Sequence, residues 1–170
     1  FDRAGIALRY DPARQRITLG SLRVESASLR LRARGSAELQ DGHGGRAAPG
    51  QMPAAVVGQL SFAEVMVDPE GLFEEPVRFD TGALAMRVTL SPFRAEIGQL
   101  SLGEGEGQLR LTGDMAAGNG GWRGGIDVGL DRIDAARLLK LWPVSVVPKT
   151  RDWLAANIGQ AEFRDFDASL

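Results

Sequence analysis

Residues 16–35 read RITLGSLRVESASLRLRARG. Apolar side chains recur at every second position, Ile17 and Leu19, then Leu22 and Val24, then Leu29, Leu31 and Ala33, with Arg30, Arg32 and Arg34 pointing the other way. Successive side chains of an extended chain point to opposite faces, so this period of two predicts strands with one greasy and one basic face. The same pattern precedes the stretch. Ile6, Leu8 and Tyr10 share a face, Ala7 and Arg9 take the other, and Asp11-Pro12 makes the turn.

Downstream, strand signals come at 55–62 (AVVGQLSF), 64–67 and 76–79, with Asp68-Pro69-Glu70-Gly71 as a turn between the last two. Leu84, Met86, Val88 and Leu90 then alternate cleanly up to Ser91-Pro92. Ala95 and Ile97 follow, then Leu100 and Leu102, then Leu109 and Leu111. Gly118-Asn119-Gly120-Gly121 signals a turn, and Ile126, Val128 and Leu130 form one more alternating strand. The expectation is a long antiparallel meander of about ten strands before any helix. Residues 40–53 break the pattern with a Gly-, Pro- and Ala-rich stretch that reads as a flexible loop.

The period changes only at residues 134–159, read as a helical insertion. Asp134 is placed as an N-cap, Ala135, Leu138, Leu139 and Leu141 fit about two helical turns, and Pro143 ends them. In a second short helix Thr150 is the expected cap, Trp153, Leu154 and Ile158 share a face, and Gly159 is placed to terminate it in the left-handed conformation. The closing AEFRDFDASL again reads as a strand, ending without turn or cap, so residues 1–170 are expected to be one β-rich segment of something longer.

RITLGSLRVESASLRLRARG can be laid without gaps on RAEIGQLSLGEGEGQLRLTG, residues 94–113, with Arg16, Gly20, Leu22, Leu31, Arg32 and Gly35 on Arg94, Gly98, Leu100, Leu109, Arg110 and Gly113. The echo points to similar β-units stacked along one axis.

Composition narrows the chemistry. The 170 residues are 44% hydrophobic and 25% charged with net charge -2, a single folded domain with nothing to draw it to nucleic-acid phosphates. No apolar run approaches the roughly 18 residues that span a bilayer. With no Cys there is no disulfide or thiolate metal site, and the sole His, His43, sits in the Gly-rich loop, so a nucleophile with a base is lacking. Glu74-Glu75 flanks a turn and Asp165 and Asp167 alternate with apolar residues, which reads as solvated faces rather than an acid–base pair. Gly103-Glu-Gly-Glu-Gly107 carries the wrong charge to cradle phosphate and lacks a P-loop Lys. Acidic residues at Ca²⁺-loop spacing are missing as well. The sequence therefore predicts no enzyme, no metal and no cofactor.

From 130 to 170 the chain reads LDRIDAARLLKLWPVSVVPKTRDWLAANIGQAEFRDFDASL. This is similar to the AsmA-like superfamily, specifically the large YhdP-type bacterial envelope proteins, in Trp142-Pro143, Pro148, Thr150-Arg151, Trp153-Leu154 and Gly159. The strands between 55 and 130 resemble that family's middle region more loosely. The resemblance implies a long sheet rolled into an open, taco-like groove in the periplasm of a Gram-negative bacterium, held to the inner membrane by a segment not in this chain. It implies movement of phospholipid to the outer membrane along an apolar interior, with the rest of a longer chain and envelope proteins at the two membranes as partners. It brings no catalytic residues, only a structural role for Trp142, Pro143, Arg151 and Trp153, the two tryptophans being expected to pin the helices to the sheet. The loop at 40–53 departs from the family pattern.

Two short helices cannot cover so many one-sided strands. Either the sheet folds on itself as a closed sandwich, serving envelope assembly or scaffolding, or it curls into a trough open to an external apolar ligand. The residues alone leave both open; the resemblance implies the trough, its lipid groove formed by Leu84, Met86, Val88, Leu90, Leu100, Leu102, Leu109, Leu111, Ile126, Val128 and Leu130, carrying the acyl chains of phospholipid and no nucleic acid.

Overall fold

Each alternating run becomes a strand and each turn signal reverses the chain, so neighbours in sequence are neighbours in space. In a computed structural model, which describes residues 3–104, 107–118 and 120–169, nine antiparallel strands form one sheet in sequence order. They are β1 (Arg3–Asp11), β2 (Arg16–Glu25), β3 (Leu29–Gln40), β4 (Ala55–Val67), β5 (Val77–Leu90), β6 (Phe93–Glu104), β7 (Gly107–Gly118), β8 (Gly121–Asp134) and β9 (Glu162–Ser169). Two helices, α1 (Ala135–Leu141) and α2 (Pro148–Asn157), separate β8 from β9. β1 and β9 do not pair, so the meander stays open, and the closed sandwich is replaced by a single layer. The Gly103–Gly107 and Gly118–Gly121 turn readings include positions 105, 106 and 119, which lie outside the described residues.

Eight strands, not ten, precede α1. The difference lies in bulges that shift the phase of alternation inside a continuous strand. In β2 the register jumps between Leu19 and Leu22, which puts both on one face although they are three apart. In β4 Glu64, at φ 54, lets Phe62 and Val65 share a face, so the two predicted strands around it are one.

The internal echo is present in the backbone. Shifted by the 78 residues that carry Arg16 onto Arg94, the β1–β2–β3 registers become those of β5–β6–β7: Ala7↔Ser21 and Leu8↔Leu19 correspond to Ala85↔Gln99 and Met86↔Ile97. Leu19↔Gly35 and Leu22↔Ala33 correspond to Ile97↔Gly113 and Leu100↔Leu111. The extra residue of the bulge is Gly20 in one unit and Gly98 in the other. Gly35 and Gly113 are also equivalent, because a Cβ at either would collide with the carbonyl oxygen of the next strand, that of Gln59 or of Gly125.

The bulges keep one face apolar throughout. One row of opposed residues runs Ile6, Leu22, Ala33, Phe62, Gly82, Leu102, Leu109, Leu130, Phe166, and the next runs Leu8, Leu19, Gly35, Leu60, Leu84, Leu100, Leu111, Val128, Ala168. A third, over eight strands, runs Tyr10, Ile17, Ala37, Gly58, Met86, Ile97, Gly113, Ile126. The opposite face is polar and laced by exposed pairs such as Arg32–Glu64 at 2.8 Å and Arg94–Asp114 at 3.3 Å, which keep that face wetted but contribute little stability.

The larger buried clusters sit at one end, where α1 and the loop after it lie over the apolar face and α2 packs on α1. Leu130, Ile133 and Leu138 form one buried cluster with Trp142 and Phe166 against it, and Val65, Val77 and Phe79 form another. Elsewhere no second layer lies on the face: its inner strands are half-buried, and on β1 Ile6 is 63% exposed. The total accessible surface is 11179 Å², about 3,000 Å² more than the roughly 8,100 Å² of a compact monomer of this mass.

The helix ends follow the sequence only in part. Asp134 caps α1 as expected, its carboxylate accepting the Arg137 N–H at 2.7 Å. α2 begins earlier than expected, with Pro148 in its first turn behind Val147, which holds a left-handed φ of 44 and makes no side-chain cap. Thr150 is therefore inside the helix, where a fixed proline φ already starts the turn. Gly159 does not adopt the left-handed conformation, because Ile158 closes the helix through its N–H to the Leu154 carbonyl. The stretch 41–54 is tied at both ends, with Ala47 buried and its N–H donating to Leu39 and the Ala54 N–H donating to Gln40.

Candidate functional site

All eleven residues singled out as groove candidates fall on the apolar face, brought there by strand register. The structure divides them into two sets. Leu102, Leu109, Leu111, Val128 and Leu130 line a cavity of ≈ 560 Å³ between the sheet and the helical segment. Leu84, Met86, Val88, Leu90, Leu100 and Ile126 lie outside it, and Leu90 and Ile126 are among the exposed large hydrophobics.

The cavity is completed by residues outside the sequence-based set: Val67, Val77 and Phe79 from β4 and β5, Phe73 from the loop between them, and Phe166 and Ala168 from β9. Their signal is weak in the sequence, since the bulge at Glu64 hides the phase of β4 and β9 alternates irregularly through Asp165, at φ 51. Gln15, also missed, is a buried plug at the far end, its amide bonded to Tyr10 and to the Pro12 carbonyl.

The roof over the cavity is strapped to the β4–β5 loop. Val144 N–H donates to the Leu72 carbonyl at 2.9 Å, Lys140 meets Glu75 at 3.1 Å, and Arg151 meets Glu74 at 2.8 Å. On α1, Arg137 donates to the Arg78 carbonyl at 3.0 Å and sits 5.8 Å over the Phe79 ring, where partial burial lowers its guanidinium pKa. Glu74 and Glu75, exposed as the sequence implied, are thus fastenings for two cations of the roof.

Of the four residues given a structural role, three touch the roof's attachments. Trp142 packs on the Leu130 cluster, its indole N–H donating to the Val146 carbonyl, and Pro143 lines the cavity. Arg151 is the buried clamp, reaching the Leu139 carbonyl of α1 as well as Glu74. Trp153 does not pin its helix, being 57% exposed. The residue that α2 buries is Arg151 instead.

A wider hollow of ≈ 1020 Å³ at the ends of β1–β5 is edged by Arg3, Arg23, Arg30, Arg32 and Arg78 and by Glu25, Glu64, Asp68 and Asp80. Its charges nearly balance, so it lacks the surplus that would hold an anion. His43 is exposed in its loop. Among the described residues no group of three or more His, Cys, Asp or Glu is placed to hold a metal, and no helix is long and apolar enough to cross a membrane.

Family models, curated proteins and solved structures give no match to this chain.

Proposed function

We propose that this chain is a non-enzymatic lipid-carrying segment whose apolar face holds the acyl chains of phospholipid while head groups stay in water. The reading is carried by one observation: apolar rows cross the whole of a single-layered sheet, half-buried over its inner strands and exposed at Ile6, Leu8, Tyr10 and Ile126. A monomer that leaves such a face partly in water bears a continuing cost. Acyl chains relieve it at about 0.8 kcal/mol per sheltered CH2.

The likeness of 130–170 to AsmA-like envelope proteins supplies the proposed setting, transfer of phospholipid between the inner and outer membranes across the periplasm. The repeated β-unit supports it physically, since identical bulges at Gly20 and Gly98 keep the apolar face in phase from one unit to the next. A scaffold function without cargo is the competing outcome of the test. The folded protein is purified without detergent, extracted with organic solvent, and the extract is analysed by mass spectrometry. Phospholipid near molar equivalence is expected. An empty extract, together with no uptake from phospholipid vesicles, overturns the proposal.

A further inference from the structure

The cavity beneath the roof differs from the open face in one chemical respect. Among the described residues only two at its wall have side chains with polar hydrogen-bonding groups, and both are already committed: the Ser169 hydroxyl donates to Asp127 at 2.6 Å, and the Trp142 indole N–H donates to the Val146 carbonyl. A trapped water needs two to four polar partners, and these walls are almost wholly apolar. Head groups, which carry several donors and acceptors, would lose their hydration there without replacement. Hydrocarbon loses nothing. The space of ≈ 560 Å³ is of the size that encloses a small ligand, and Leu109, Leu111 and Val128 belong both to it and to the apolar rows outside.

We infer that the roofed cavity is a binding site for the methyl end of a single hydrocarbon chain, so that lipid lies on this segment tail-first under α1 and the loop that follows it, its head group held outside the roof. The inference rests on the lipid-carrying reading and adds to it a fixed orientation. The roof's side chains do the selecting: Leu138, Leu141 and Val146 close over the chain, and the Glu74 and Glu75 pairs hold them down.

The test uses Trp142 as the reporter, because it borders the cavity whereas the other two tryptophans, Trp122 and Trp153, are exposed and replaceable. In the Trp122→Phe/Trp153→Phe background, the protein is mixed with a fatty acid bearing a nitroxide near its methyl end, or with one bearing it near the carboxyl. Immobilisation of the nitroxide in its electron paramagnetic resonance spectrum reports binding, and loss of Trp142 fluorescence reports where the label sits. The expected result is binding of both probes, with the methyl-end label quenching Trp142 several-fold more than the carboxyl-side label. Binding with equal quenching, or with none, overturns the tail-first site and leaves the lipid-carrying reading standing. Failure of the folded protein to immobilise either probe overturns both.

Discussion

Ile126 and Leu130 stand on the same strand and the same face, yet Ile126 is 43% exposed and Leu130 is 6% exposed. Replacing each with Asp therefore measures how much of the face is covered. Full burial of such a side chain is worth about 1.5–3 kcal/mol. Ile126 hides a little over half of itself and a carboxylate there stays in water, so Ile126→Asp should cost about 1–1.5 kcal/mol. Leu130→Asp removes a packed leucine under the roof and sets a carboxyl among Ile133, Leu138 and Phe166, for a loss above about 4 kcal/mol. Urea unfolding of lipid-free protein checks both. With a slope of about 2 kcal/mol per molar, Ile126→Asp lowers the midpoint by about half a molar, whereas Leu130→Asp removes much of a total stability near 5–15 kcal/mol. Lipid recovered with Ile126→Asp should fall although the protein remains folded. Equal and large losses at both positions would refute the open face, and equal small losses would refute the roofed core.

Further outcomes follow from individual contacts. Asp134→Ala removes the carboxylate that accepts the Arg137 N–H and should cost about 1 kcal/mol of stability by urea midpoint; an unchanged midpoint denies the cap. Gly35→Ala drives a Cβ into the Gln59 carbonyl oxygen, and the forced shift of β3 against β4 should cost about 1–3 kcal/mol, read by thermal unfolding. Glu74→Gln leaves the buried Arg151 without its ion-pair partner and should cost about 1–3 kcal/mol, whereas Arg151→Met, which removes the charge itself, should be milder; the reverse order would refute the clamp. Asp11 is held below the usual carboxylate range by the Arg14 backbone N–H and guanidinium, and Glu162 by its hydrogen bond from Arg164. A depressed folded pKa contributes stability above the ordinary carboxylate range that is lost as pH falls through it. Asp11→Asn/Glu162→Gln should therefore flatten the acid limb of the urea midpoint, and an unaltered limb counts against these contacts.

The faces were legible in the sequence because side-chain period is a local property. Leu84, Met86, Val88 and Leu90 needed only a strand to share a side, and they do. Strand count was not legible, because a bulge and a turn both appear as a break in phase. Leu19 to Leu22 and Phe62 to Val65 looked like strand ends and are continuous strand bent by one extra residue. The cap at Asp134 was readable, since Ser, Thr, Asn or Asp before a helical run is a local signal. The start of α2 at Pro148 depended on Val147 taking a left-handed φ, a β-branched residue for which no local preference exists. The roof's attachment was invisible, because Glu74 and Arg151 meet only after β5 to β8 have been laid down between them.

The bulges that defeated the strand count also carry the functional argument. A flat nine-stranded sheet with one apolar face would stack on another such face, as exposed apolar patches and unpaired edges do. Each bulge adds local twist and bends its strand, and here Gly20 and Gly98 place the same bend at the same point of both units. A sheet bent at matching points is not flat, so a second rigid sheet fits it poorly. On the lipid-carrying proposal a flexible chain of CH2 groups would follow such a surface without strain, and α1 with the loop after it would give that chain one end at which to stop.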